Sequence, residues 1–238
     1  MGCTTDSAAP TVDVMASKLA QLLSDSRRAL MTMLGIQAVI WTVQVVNWLD
    51  DYDLSRDYGL RAERVDDLPA MFTMPFLHFS WGHIVANSWP LFVLGFLAAY
   101  RGMRKFLLAS LVITVSGGLT VWLLAGSNTV TAGASGMVYG YLGYVVLRGI
   151  LDRNVLDAVV GLGVAATYWT ILIGVLPVAH GVSWQGHLGG LIGGLAAAAL
   201  LRDGAKPKPA PASTASTAPA ASNSPHADLL KQLDDLGL

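Results

Sequence analysis

The chain of 238 residues contains one cysteine, Cys3, so it cannot form an intramolecular disulfide, and a thiol-ligated metal cluster is excluded. Charge is scarce as well. Asp, Glu, Lys and Arg make up 13% of the residues, against an average of about 25% in globular proteins, too few to coat a water-soluble surface. Fifteen basic and sixteen acidic residues give a net charge of −1. No basic field exists to hold nucleic-acid phosphates, so nucleic acid is not an expected partner.

What the chain has instead is apolar sequence, at 53% of residues, concentrated in six stretches free of Asp, Glu, Lys and Arg. They run from Leu30 to Leu49, Ile84 to Tyr100, Phe106 to Ala125, Ala134 to Leu147, Ala158 to Val178 and His187 to Leu201. A helix needs roughly 20 apolar residues, with a range of about 17–25, to cross the hydrocarbon of a bilayer. The first, second, third and fifth stretches comply. The fourth and sixth are shorter and rich in Gly and Ala, but a soluble protein would still have to hide the other four. The expected fold is therefore all-α, a polytopic membrane protein with six crossings.

Basic residues orient the crossings. With the N-terminus in the cytoplasm, Lys18, Arg27, Arg28, Arg101, Arg104, Lys105, Arg148, Arg153, Arg202, Lys206, Lys208 and Lys231 fall inside, and only Arg56, Arg61 and Arg64 fall outside. That asymmetry follows the positive-inside rule and predicts both termini in the cytoplasm of a multi-pass protein of the plasma or inner membrane. Residues 1–29 then form a cytoplasmic segment. The first stretch begins too late and runs too long for a cleaved signal peptide, and Asp6 stands where a myristoylation signal needs Ser or Thr. The loop from Asp50 to His83 carries Trp48, Phe72, Phe76, Phe79 and Trp81 within it or at its edges, a composition suited to headgroup depth. Residues 202–226, rich in Pro, Ala and Ser, read as a disordered linker. Residues 227–238 place Leu229, Leu230, Leu233 and Leu236 on one helical face, giving a short amphipathic helix or a terminus without a role.

Orientation brings several polar residues to one depth. His83 and Asn87 sit four apart at the outer end of the second crossing, Ser135 at the outer end of the fourth, and His187 at the outer end of the sixth. A serine hydroxyl becomes a nucleophile when a neutral imidazole within about 2.6–3.2 Å takes its proton, which makes Ser135 and His187 the candidate pair. The Ser135 backbone N–H, the Asn87 amide and the His83 ring are candidate donors to an oxyanion. Gly136 and Gly140 on the fourth stretch, and Gly190 and Gly194 on the sixth, form small-residue stripes that permit close helix approach. Gly186 and Gly189 leave room beside His187, and Tyr139, one turn below Ser135, can pack against the imidazole. No carboxylate lies at these outer ends, so the expected arrangement is a Ser-His dyad. Taken singly, each residue also has a packing role: serine bonds back to helix carbonyls, and a His/Asn pair can clamp two helices. Together they point to function, because ionisable groups inside a membrane are costly.

Three segments in order, FLHFSWGHIVANSWPLFVLG, GASGMVYGYLGY and GHLGGLIGG, resemble the rhomboid family of intramembrane serine proteases. The resemblance covers the core from about Leu30 to Leu201. It implies a six-helix bundle over 30–201 in which Ser135 is the nucleophile, His187 the base and Tyr139 the ring beneath it. Asn87 and His83 are then transition-state stabilising, and Gly133 and Gly136 belong to the nucleophile's G-x-S-G segment. His78 matches a family position to which no chemistry is assigned, and its expected role is polar lining or a structural hydrogen bond. The implied activity is cleavage of membrane-anchored proteins within the lipid bilayer, at a site open to the external side, with no metal or organic cofactor. The resemblance also implies a lipid-facing hairpin at Asp50 to His83, a gate at the fifth crossing that includes Trp169, and a cap over the site at Pro177 to Gly186. Two other classes remain open: a non-catalytic protein that binds transmembrane helices, and a small transporter. The transporter is disfavoured by the lack of charged side chains in the crossings and of an inverted repeat.

Overall fold

The computed structural model describes residues 9–127, 129–152, 159, 162, 163, 166, 174–177 and 181–202. Among these the chain is mostly helical. Helix α1 spans Ala9–Leu49, α2 Asp53–Tyr58, α3 Trp81–Tyr100, α4 Met103–Leu124, α5 Ser135–Leu151 and α6 Trp184–Leu200. Three of them, α1, α3 and α4, are long and apolar enough to cross a membrane. The outward side chains of α3 and α4, including Val85, Trp89, Leu107, Leu111 and Leu123, are exposed and apolar, as lipid contact requires. α5 and α6 have 17 residues each, about 25 Å at 1.5 Å per residue. Most of the fifth apolar stretch, including Trp169, lies outside the described residues, as does everything beyond Arg202.

α1 starts far upstream of its apolar stretch. Its 41 residues reach about 60 Å, twice the hydrocarbon thickness, so the helix begins about six turns before the apolar stretch that starts at Leu30. Only its second half packs: Ala29, Met33, Ile40, Gln44 and Asn47 are buried on one face, with Met33 filling the space over Gly95 of α3. Gln37 donates to the Ser88 carbonyl at 2.7 Å, and Trp41 Nε1 to the Ser88 hydroxyl at 3.1 Å.

The loop between α1 and α3 is folded into short pieces. α2 is followed by strand β1 (Leu60–Arg61) and by 3-10 turns over Val65–Phe72 and Met74–Phe76, each holding a proline. Proline lacks the N–H a longer helix needs, which keeps these turns short. β1 pairs antiparallel with β2 (Val130–Thr131), the segment just before α5, in the register Leu60 with Thr131 and Arg61 with Val130. An all-helical reading did not anticipate this two-residue pairing. It ties the first loop to the approach to Ser135.

Glycine sets the helix spacing. A Cβ at Gly190 would strike the carbonyl oxygen of Gly136, and one at Gly194 that of Gly140, so the two backbones of α5 and α6 touch through the expected stripes. The adjacent face of α6 meets α4, where Gly193 lies under Ile113 and Ser116, and the Ser116 hydroxyl donates to the Gly189 carbonyl at 2.8 Å. α6 is thereby wedged between α4 and α5. At the other end of α5, the buried Arg148 meets Asp152 at 3.1 Å and donates to the Leu201 carbonyl at 3.3 Å, while Arg101 joins the same carboxylate at 2.9 Å. That cluster links the C-terminal ends of α3, α5 and α6.

Candidate active site

Ser80 begins the site by capping α3. Its hydroxyl accepts the His83 N–H at 3.1 Å, the preferred way to satisfy a first-turn donor. His83 is thus in the first turn, and Asn87 follows one turn on. α6 is capped similarly, with the Ser183 hydroxyl accepting the Gly186 N–H at 3.3 Å, which puts His187 in its first turn. Ser135 is the first residue of α5. The N-terminal ends of three helices therefore converge. The first N–H groups of an α-helix have no partner within the helix, so the start of α5 offers donors of positive character where Ser135 stands.

A cavity of about 780 Å³ occupies this convergence, and Ser135, His187, His83, Asn87, Gly133 and Gly136 all line it. The structure brings together all four polar residues the sequence placed at this depth, His83, Asn87, Ser135 and His187, while His78 is not part of the lining. Asn87 is buried, and its Nδ2 has no hydrogen-bond partner among the described residues. An unpartnered buried donor is costly. It suits an acceptor that arrives with a ligand. Gly133 has a φ of +135°, and a Cβ there would lie 2.7 Å from His83 Nε2 and 3.8 Å from Asn87 Nδ2, so the His83 ring crowds the backbone two residues before Ser135 and the Asn87 amide lies beside it.

The imidazole of His187 is held twice. Its ring stacks on Tyr139 with centroids 4.1 Å apart and planes 15° from parallel. Tyr139 is four residues beyond Ser135 on α5, so the imidazole lies on the helix face that carries the hydroxyl. Its Nδ1 is 2.8 Å from the Gly174 carbonyl oxygen. A carbonyl can only accept, so Nδ1 carries the proton, and Nε2 of the neutral ring keeps its lone pair. Sequence reasoning missed Gly174, because a backbone acceptor leaves no mark on residue type. For His78 it offered no chemistry, only polar lining or a structural hydrogen bond. His78 is fully buried, and burial, reinforced by the neighbouring His83 ring and opposed by a contact with the Phe76 carbonyl, pushes its pKa down to about 3.

The Rhomboid domain family model matches residues 66–204, more than half of the chain. The chain belongs to the rhomboid family. An uncharacterized protein of Mycobacterium tuberculosis, Rv1337, is 39% identical over 178 residues, covering 71% of this chain and 74% of that protein. An uncharacterized protein of Mycobacterium leprae is 37% identical over 178 residues, 71% of this chain and 70% of its own. Rhomboid protease GluP of Bacillus subtilis is 31% identical over 127 residues, 52% of this chain and 24% of that protein. The matched region of the family spans the cavity and all the residues that line it. This rhomboid is thus a membrane protein whose polar cavity sits where three helices begin.

Proposed function

We propose that this rhomboid is an intramembrane serine endopeptidase that cleaves membrane-anchored proteins within or beside their transmembrane segments. The observation that carries the reading is the lining of one cavity by Ser135 and His187, with His187 Nδ1 bound to a carbonyl. That bond leaves Nε2 free to accept a proton. Ser135 Oγ attacks the scissile carbonyl carbon as His187 Nε2 takes its proton. The oxyanion is stabilised by the Ser135 N–H, the Asn87 amide and the His83 ring. Collapse breaks the C–N bond, with His187 returning the proton to the departing amine. Water then attacks the acyl-enzyme, His187 accepts its proton, and the serine is restored. The Gly174 carbonyl stands where a carboxylate would complete a triad, orienting the imidazole without adding a charge. Tyr139 fixes the ring plane, and Gly136, Gly190 and Gly194 let the two helices come close.

The bundle has six crossings over 30–201, with both termini cytoplasmic and the cavity opening to the external side. Residues 1–29 are cytoplasmic, 202–226 a linker and 227–238 a terminal amphipathic segment. The substrate helix must unwind locally, since a helical carbonyl is already hydrogen-bonded and shielded, so substrates carry helix-weakening residues near the cut.

Fluorophosphonate labelling followed by peptide mapping tests the reading. The expected result is modification at Ser135 that disappears in Ser135→Ala and falls in His187→Ala. A folded chain that takes up no label and cleaves no tagged single-pass membrane protein on co-expression is a helix-binding protein instead.

A further inference from the structure

His78 is a buried imidazole that the proton transfers above leave unused. It does not line the cavity. Its ring faces the backbone just before the nucleophile, where Nε2 is 3.3 Å from the Ala134 nitrogen and accepts that N–H. An N–H can only donate, so Nε2 is unprotonated and the neutral ring carries its proton on Nδ1. One residue earlier, the Gly133 N–H donates to the Met74 carbonyl at 2.8 Å. Two consecutive amides ahead of Ser135 are therefore held by the segment Met74 to His78. The other side of the same turn is closed by His83, whose ring leaves no space for a Cβ at Gly133.

His78 is itself anchored. Its carbonyl accepts from Asn47 Nδ2 at 2.8 Å and from the Ser55 hydroxyl at 3.2 Å. Asn47 and Ser55 are joined by two further bonds, the Ser55 N–H to Asn47 Oδ1 at 3.1 Å and Asn47 Nδ2 to the Ser55 hydroxyl at 2.8 Å. All three residues have no exposure. The His78 ring meets the His83 ring edge to face at 4.9 Å. A continuous chain of buried bonds thus runs from the end of α1, through α2 and His78, to the amide preceding Ser135.

We propose that His78 is a positioning residue for the nucleophile: as an obligate hydrogen-bond acceptor for the Ala134 N–H, it fixes the turn that aims Ser135 and its backbone donor into the cavity. Burial keeps the ring neutral at ordinary pH, which the role requires, since a protonated Nε2 would point its hydrogen at the Ala134 hydrogen. A misplacement of about 1 Å at a reacting group costs on the order of 10²-fold in rate. One lost acceptor at this turn is therefore enough to matter. The proposal rests on the serine protease reading.

The test compares His78→Gln, whose amide oxygen reproduces an acceptor near the Nε2 position, with His78→Phe and His78→Leu, which fill the space without one. The full chain in detergent micelles is titrated with a fluorophosphonate probe, and the maximal labelling rate and half-saturating probe concentration are read per folded molecule, the folded fraction coming from thermal melts. The apolar variants are expected to lose about 10- to 100-fold in maximal rate at an unchanged half-saturating concentration. His78→Gln is expected to stay within about threefold of the unsubstituted chain, because the acceptor is retained. Equal losses in all three variants, or full rates in the apolar ones, overturn the proposal while leaving the protease reading intact. Absence of labelling at Ser135 in the unsubstituted protein removes both. A measurement independent of variant folding is the ¹⁵N spectrum of histidine-labelled protein at neutral pH. It should show His78 protonated at Nδ1 and bare at Nε2, and the opposite tautomer overturns the proposal.

Discussion

The imidazole of His187 lies face to face with the phenol ring of Tyr139, 4.1 Å between centroids and 15° from parallel. Such pairs contribute about 0.5–1.5 kcal/mol beyond burial, and the ring face rather than the hydroxyl supplies this contact. Tyr139→Phe is therefore expected to retain near-normal turnover, whereas Tyr139→Leu should lower kcat by up to about tenfold, the equivalent of that energy. Cleavage kinetics on a tagged transmembrane substrate check both.

The unpartnered amide of Asn87 points to a second outcome. If it donates to the oxyanion, Asn87→Ala should lower kcat by roughly 10²-fold or more and leave KM nearly unchanged, because the bond forms mainly in the transition state. Unchanged turnover removes Asn87 from that role.

The contact between α5 and α6 tolerates no added carbon. Gly190→Ala or Gly194→Ala drives a methyl into the Gly136 or Gly140 carbonyl. Each should destabilise by about 1–3 kcal/mol, seen as a lower melting temperature in detergent, and should separate Ser135 from His187. Gly35→Ala is the matched control, for it has nothing within 4 Å on α1 and should raise stability by about 0.5–1 kcal/mol through helix propensity.

His78 predicts how stability follows pH. Its folded pKa of about 3 lies below the unfolded value of about 6.5, so between these limits the unfolded chain binds more protons, and stability rises with pH. The contribution is fully present above about pH 6.5 and is lost as pH falls toward about 3. Melting curves from pH 8 to 4 should show the fall, and His78→Gln should flatten it.

Gln44 supplies a prediction remote from the cavity. It is fully buried, and neither Nε2 nor Oε1 has a partner among the described residues. Replacing it with methionine, of similar shape, removes that desolvation penalty and should stabilise the fold by about 1–3 kcal/mol, read as a higher melting temperature with activity intact.

Much of this protein is written locally. The apolar stretches ending at Leu49, Tyr100 and Ala125 mark α1, α3 and α4 to within a few residues at their C-terminal ends, because lipid demands continuous apolar helix, which the charges of Asp50 and Arg101 stop in two cases and the Gly126-Ser127 break in the third. The glycine stripes of α5 and α6 foretold a close contact, since a missing side chain is itself a residue type. The polar residues His83, Asn87, Ser135 and His187 stood out because so few polar groups occur in these helices. Other features depend on contacts distant in sequence. That β1 finds β2 seventy residues later, and that His187 is oriented by the Gly174 carbonyl and His78 bound to the Ala134 amide, were decided by the tertiary structure. Backbone groups are identical at every position, so only the folded chain selects which carbonyl or N–H a side chain will meet.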